Sequence, residues 1–263
     1  MPDFLDEGIS AEPASGAALF SWQGACANST STQRWFGRRT LFLARRTKPA
    51  HCGQNCCMCG RYDLNESPQM LGLYFRLSAE PPAFRNADVR PTNAAPIIRF
   101  HDGQRLALPA RWGLIPSWSK DDRIAQHTFN ARAETVAGKP SFRAAFKRRR
   151  CIVPVSAFFE WRAVPGQQKK QKLRFTSPTQ HPLALAGLWE HWQRPETGEM
   201  VETYTIITTT ANAFMAPIHD RMPVVLDQRD WAAWLDPETG NPLLLQSMLV
   251  PSPDDWLEYS PSR

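Results

Sequence analysis

The sequence predicts an α+β fold that is rich in β-strands and carries a few short peripheral helices. One reason is that short segments of β-branched and aromatic residues are separated by Gly, Pro and Asp turns. A second reason is that proline supplies 23 of the 263 residues, and proline disfavours long helices. With 42% hydrophobic residues, a chain of this length can bury a sizeable core without disulfide scaffolding.

The predicted elements begin after residue 57. Met70, Leu71, Tyr74 and Leu77 recur at helical spacing, which predicts a short helix. Residues 96–100 and 104–108 are predicted strands around the turn His101-Asp102-Gly103. Further strands are predicted at 151–155, 158–162, 183–192 and 203–210, and further short helices at 141–149, 230–235 and 243–249.

The chain divides by composition into two parts. Residues 1–57 are rich in Ser, Thr, Ala and Gly and show no sustained periodicity, so we predict an extension that is disordered, removed or not translated. Residues 58–263 have protein-like patterning and form one predicted domain.

Cysteine, charge and hydropathy exclude several classes of protein. Five of the six cysteines precede residue 60, but the acidic start of the chain is not a secretory signal, so we expect a reduced, cytoplasmic protein. The cysteine spacing does not match a zinc site, and we expect neither metal nor cofactor. No apolar run approaches the roughly 20 residues of a membrane span. The net charge of +6 is compatible with a polyanionic partner.

Five stretches carry the chemistry. They are Met58-Cys59-Gly60-Arg61-Tyr62, residues 111–118 (RWGLIPSW), residues 129–135 (FNARAET), residues 151–161 (CIVPVSAFFEW) and residues 218–223 (IHDRMP). Together and in this order, they resemble the SOS-response-associated peptidase (SRAP) family across essentially all of 58–263.

The resemblance implies a β-rich protein that binds single-stranded DNA and reacts with abasic sites. It also implies that the mature chain begins at Cys59, which forms a thiazolidine with the ring-opened aldehyde. A terminal cysteine suits this reaction, because its free amine has a pKa near 8 and condenses with an aldehyde before the thiolate closes the ring. An internal cysteine has an amide nitrogen and cannot react in this way.

Cys59 is internal in this sequence, and three explanations stay open. Translation starts at Met58, or residues 1–57 form a removable pro-segment, or they are a genuine extension that leaves the protein inactive. Cys151 precedes an apolar strand and is expected to be a core residue.

The resemblance gives three further residues catalytic roles. Glu160 lies between two aromatic residues, where burial would raise its pKa and suit it to proton transfer; an alternating strand would instead point it into solvent. His219 would stabilise the opened sugar or the Schiff base, with Asp220 orienting its ring, or else it is structural. Asn130 would hold the N-terminal residue or the sugar.

Four residues are expected to contact DNA. Arg61 and Arg132 would grip phosphates, although Arg132 would otherwise pair with Glu134. Trp112 and Trp118 would stack on unpaired bases, or would be core anchors. The basic run 147–150 is either a solvated helix face or a track for the DNA backbone.

The leading function is therefore an abasic-site sensor that crosslinks to single-stranded DNA, with possible lyase activity. One alternative is a thiol peptidase that removes its own leader, with Cys59 as nucleophile and His219 as base. Another is a non-catalytic single-strand binder. We expect a monomer that associates with the nucleoid when it is bound to DNA.

Overall fold

The computed structural model describes residues 60–262, and these residues form two β-sheets with short helices at the periphery. The strands are Tyr62–Leu64 (β1), Asn86–Val89 (β2), Ala94–His101 (β3), Gln104–Trp112 (β4), Asn130–Arg132 (β5), Arg150–Val155 (β6), Ala157–Arg162 (β7), Gln171–Thr176 (β8), Leu183–Gln193 (β9), Met200–Thr210 (β10), Arg221–Pro223 (β11) and Glu258–Pro261 (β12). The helices are Pro68–Tyr74 (α1), Arg143–Arg148 (α2), Trp231–Leu235 (α3) and Pro242–Ser247 (α4), and 3-10 turns cover Arg123–Gln126, Gln228–Asp230 and Asp254–Trp256. The predicted β-rich α+β class is confirmed.

The larger sheet closes on itself. Its strands follow the order β10-β4-β3-β6-β9, and β9 pairs again with β10, so these five strands form a barrel-like ring. The hairpin of β3 and β4 forms as predicted, with His101 paired to Gln104 across the turn. The second sheet has the order β12-β8-β7-β1-β2 and is antiparallel throughout.

The predicted helices form, but they are shorter than their apolar spacing suggested. Helix α1 begins with Pro68 after the N-cap Ser67, whose hydroxyl accepts a hydrogen bond from the Met70 backbone. It ends at Tyr74, because Phe75 leaves the helical conformation and Arg76 adopts a left-handed φ of 52°. None of the helices in the described part of the chain is long and apolar enough to cross a membrane.

An aromatic cluster joins the two sheets. Tyr62 of β1 and Tyr204 of β10 share a buried hydrogen bond of 2.6 Å between their hydroxyls. Trp112, at the end of β4, packs against both rings at centroid distances of 5.2 and 6.1 Å. Its indole N–H donates to the Phe129 carbonyl over 2.8 Å, which fixes the segment leading into β5. We call Tyr62, Trp112 and Tyr204 the aromatic cluster.

Candidate nucleic-acid interface and reactive site

Strand β10 brings three of the predicted site residues to one end of the barrel. Strand β5 pairs with it in parallel on one edge, with Asn130 opposite Ile206 and Arg132 opposite Thr208. Strand β11 pairs with its last residues in the antiparallel sense, with Arg221 opposite Thr210. His219 lies just before β11, so the sequence-distant Asn130, Arg132 and His219 are gathered around the carboxyl end of a single strand.

These residues line an open, polar depression made of two adjoining cavities. One has a volume of about 550 Å³ and is lined by Arg132, Glu134, Thr135, Thr210, His219, Asp220 and Arg221. The other has a volume of about 810 Å³ and is lined by His127, Asn130, Arg132, Glu134, Thr135, Gly138 and Lys139. Arg132, Glu134 and Thr135 belong to both cavities, so we describe them together as the polar groove.

The side chain of His219 is almost buried, with 8% of its surface exposed. Its Nδ1 accepts a hydrogen bond of 3.0 Å from the Arg221 backbone N–H, and the same nitrogen lies 3.0 Å from Asp220 Oδ1. The first contact requires an unprotonated Nδ1, so the proton of the neutral ring is on Nε2. Nδ1 of this tautomer carries no hydrogen for the Asp220 carboxylate, so the orientation of the ring by Asp220 stays a prediction.

Arg221 supports the groove from below, a role that sequence reasoning missed. Its guanidinium binds both carboxylate oxygens of Glu134, at 2.5 and 3.0 Å, and also the Thr208 carbonyl at 2.7 Å. These charge-assisted hydrogen bonds, above all, lower the pKa of Glu134. The alternative in which Arg132 forms the ion pair with Glu134 is therefore wrong. The sequence indicated Arg221 only by its place directly after His219 and Asp220 in one of the five stretches.

Arg132 is exposed at the edge of the polar groove. Glu134 is occupied by Arg221, and no ion pair joins Arg132 to a carboxylate within residues 60–262. An exposed guanidinium in this situation can accept a phosphate without first breaking a salt bridge.

Glu160 is buried, with 2% of its surface exposed. The alternative of a solvated carboxylate is therefore wrong. The reason is that Ala157, Phe158, Phe159 and Glu160 are buried in succession, so both faces of this part of β7 are covered and alternation does not expose one of them. Phe158 and Phe159 are buried beside Glu160, in positions that strict alternation would have assigned to opposite environments.

The backbone of Arg61 is hydrogen-bonded to Phe159, the residue before Glu160. Strand β7 pairs with β1, and the Phe159 N–H donates to the Arg61 carbonyl over 3.0 Å. The Arg61 guanidinium forms an ion pair with Asp88 and lies 5.8 Å from the centre of the Phe159 ring. Asp88 also binds Arg90, and mainly through that contact its pKa is lowered. A phosphate on Arg61 would therefore share the guanidinium with a carboxylate.

The two predicted stacking tryptophans have different positions. Trp118 is 61% exposed, whereas Trp112 has no exposed surface. The expected stacking of Trp112 on a DNA base is corrected: its ring is enclosed in the aromatic cluster and no base can reach it. Only Trp118 is positioned to stack.

The basic run 147–150 is also divided. Arg150 is 2% exposed and donates to the backbone carbonyls of Trp234, Phe146, Lys147, Asp236 and Thr239. Arg149 forms an ion pair with the buried Glu190 at 2.6 Å. Half of the run is therefore structural, and only Lys147 and Arg148 are exposed.

The two remaining cysteine predictions have separate outcomes. Cys151 is fully buried, as expected of a core residue, and burial raises the pKa of its thiol. Cys59 and the extension 1–57 lie outside the described residues. Within the described part, no group of His, Cys, Asp and Glu side chains has the arrangement of a metal site.

A barrel-like β-sheet with a histidine- and arginine-containing groove at one end, together with a buried carboxylate on the second sheet, defines a class of β-rich protein that is suited to binding an anionic ligand. Similarity to known proteins identifies the family within this class. The sequence profile of the family described as SOS response associated peptidase (SRAP) matches residues 58–262, and the chain belongs to this family.

Relatives in the family include proteins named for abasic-site processing. The chain is 39% identical over 207 residues to the abasic site processing protein YoqW of Bacillus subtilis, an alignment that covers 76% of this chain and 90% of YoqW. It is 29% identical over 220 residues to the abasic site processing protein HMCES of Gallus gallus, covering 70% of this chain and 65% of HMCES.

Solved structures share the fold. A crystal structure from Bacteroides thetaiotaomicron superposes with a TM-score of 0.71 at 27% identity, covering 78% of this chain and 92% of that one. A second, from Bordetella bronchiseptica, gives a TM-score of 0.68 at 28% identity, covering 78% and 100% of the two chains.

Proposed function

We propose that this protein binds single-stranded DNA at abasic sites and links to them covalently through Cys59 as its mature N-terminal residue. The observation that carries the proposal is the pairing of β1 with β7, which ties the segment following Cys59 to the strand that carries the buried Glu160. Cys59 lies two residues before Arg61 in the sequence, and two residues of extended chain span at most about 7 Å.

The proposed reaction forms two bonds at one carbon. The α-amine of Cys59 adds to the C1′ aldehyde of the opened deoxyribose, and loss of water gives an imine. The thiolate then adds to the imine carbon and closes a thiazolidine. Glu160 would take a proton from the amine and deliver one to the departing oxygen, a role that suits a carboxyl group held away from water.

The polar groove would hold the DNA and the sugar. Arg132 and Arg61 would bind phosphates on either side of the lesion, and Trp118 would stack on a neighbouring base. Asn130 would hydrogen-bond to the sugar or to the terminal residue. His219, with its proton on Nε2 when neutral, would donate to the oxygen of the opened ring. The same machinery can support strand cleavage through the imine, which is the lyase activity considered above.

The deciding experiment uses three versions of the N-terminal residue. A chain started at Met58, from which the initiator is removed, is incubated with single-stranded DNA that contains one abasic site and then run on a denaturing gel after heating. We expect a heat-stable adduct with Cys59 and none with Cys59→Ala or Cys59→Ser, because the terminal amines of these variants form only an imine, which borohydride traps.

A second measurement separates the alternatives. A chain that retains Met1 should form no adduct, because its Cys59 nitrogen is an amide; an adduct from that chain, confirmed by intact mass, would overturn the proposal. Release of residues 1–58 that is lost in both Cys59→Ala and His219→Ala would support the self-processing peptidase. Salt-sensitive DNA binding without any adduct would leave a non-catalytic binder.

A further inference from the structure

A separate, arginine-rich cavity lies outside the polar groove and shares no residue with it. Its volume is about 500 Å³, and it is lined by Arg76, Arg105, Asp227, Gln228, Arg229, Trp231 and Ala232. The cavity lies between the turn that follows α1, the start of β4 and the start of α3. We call it the arginine pocket.

The charges of the arginine pocket do not cancel. Asp227 is neutralised by Arg229, whose Nε lies 3.0 Å from the carboxylate Oδ2. The Asp227 carboxylate also accepts the Arg229 backbone N–H over 3.0 Å. Arg76 and Arg105 form no ion pair with any carboxylate of residues 60–262. Two guanidinium groups therefore face one cavity with no negative partner.

The backbone holds Arg105 firmly in this position. Its Nη1 donates to the Phe75 carbonyl over 3.0 Å, and its own carbonyl accepts from the Ser78 N–H over 2.9 Å. Its N–H donates to the Ser78 hydroxyl over 3.2 Å. Arg76 follows Phe75 directly in a left-handed conformation with a φ of 52°. Arg76 is thus carried by the turn that follows α1, and Arg105 by the start of β4, which is hydrogen-bonded to that turn.

The positive charges of Arg76 and Arg105 repel each other in the absence of a bound anion. Burial and, to a smaller extent, the charge of Arg76 lower the pKa of Arg105. Like charges that converge without a counter-ion cost stability, and a bound anion removes that cost.

We propose that the arginine pocket binds a phosphate group. The planar forks of Arg76 and Arg105 match the oxygens of phosphate in a bidentate manner. The Trp231 ring, almost fully buried, forms an apolar wall that strengthens these contacts. The phosphate belongs either to a nucleic-acid backbone or to a small phosphorylated molecule. This site does not depend on Cys59 or on covalent chemistry.

Pyrophosphate is a suitable probe, titrated calorimetrically into the full-length protein. We expect Arg76→Gln to weaken binding about tenfold, the loss typical of one charge-assisted hydrogen bond. The matched control is Arg194→Gln, which removes the same charge from an arginine that is paired with Glu199 outside the pocket, and it should bind like the wild type. Without anion, Arg76→Gln should melt at the wild-type temperature or above it; with saturating pyrophosphate, the wild type should melt higher.

Equal affinities of the wild type and Arg76→Gln would overturn the proposal, as would an equal loss in Arg194→Gln. Absence of binding to the wild type would overturn it too. Intact single-stranded DNA then identifies the source of the phosphate. If the DNA displaces pyrophosphate from the wild type, the site belongs to the nucleic-acid backbone; if it does not, the ligand is a small phosphorylated molecule.

Discussion

The aromatic cluster and the polar groove share strand β10 and differ in how their polar groups are satisfied. In the middle of the strand, the Tyr204 hydroxyl is buried and bonded to that of Tyr62. At its end, Glu134 is bonded to Arg221, whereas Arg132 is left exposed. Buried polar groups that hydrogen-bond to each other stabilise the fold. An exposed charge at the edge of the groove, such as that of Arg132, is available to a ligand. One strand therefore separates a structural region from a binding region within a few residues.

The largest expected effect on stability is in the aromatic cluster. Trp112→Ala removes a fully buried ring and its hydrogen bond to Phe129, so we expect a loss of about 3–5 kcal/mol in the free energy of unfolding. Urea denaturation followed by circular dichroism measures this loss. A Trp112→Ala protein that is as stable as the wild type but binds DNA more weakly would contradict the structural role of Trp112 and show that this residue contacts DNA.

Trp118→Ala is the counterpart of this substitution in the binding region. Trp118 is 61% exposed, so we expect little change in stability and a loss of about 1–3 kcal/mol in binding of intact single-stranded DNA. Fluorescence anisotropy in a Cys59→Ala background measures non-covalent binding alone. Leu73→Ala, which removes another exposed apolar side chain, is the control and should bind normally.

A smaller effect is expected when one hydroxyl of the aromatic cluster is removed. Tyr62→Phe leaves the buried Tyr204 hydroxyl without its partner, which should cost about 1–2 kcal/mol. In Tyr62→Phe/Tyr204→Phe no polar group is stranded, so the double variant should lose less than the sum of the single losses. Additive losses in denaturation experiments would show that the 2.6 Å bond contributes nothing specific.

The sequence predicted the elements better than it predicted their partners. The segments 96–100 and 104–108 and the His101-Asp102-Gly103 turn between them located the β3–β4 hairpin, because these signals are local. The fates of Trp112 and Trp118 could not be separated, since both flank the same loop and Trp112 is buried by contacts with residues distant in sequence, Tyr62 and Tyr204. The alternative of a solvated Glu160 failed for a related reason, because alternation within one strand does not reveal whether both faces of that strand are covered.

Glu134 shows the same limitation within the groove. Arg132 is its neighbour in sequence, but the observed partner, Arg221, is 87 residues away and is brought close by the pairing of β5 and β11 with β10. The family motifs contain both Glu134 and Arg221, whereas the contact between these residues depends on the topology of the barrel.

The smallest expected effect tests the Glu134–Arg221 pair through pH. The pKa of folded Glu134 lies below its ordinary value of 4.5, so its charge stabilises the fold above about pH 4.5, and this contribution is lost as the pH falls through the folded pKa. Glu134 is 46% exposed at its side chain, and solvent screening limits the contribution to about 0.5–1 kcal/mol. Denaturation at pH 7 and at pH 3 should therefore show Glu134→Gln to be less stable than the wild type at pH 7, by a margin that becomes smaller at pH 3. Glu196→Gln, at an exposed turn position, should match the wild type at both. A deficit of Glu134→Gln that persists unchanged at pH 3 would show that the shape of the side chain, and not its charge, holds Arg221 beneath the groove.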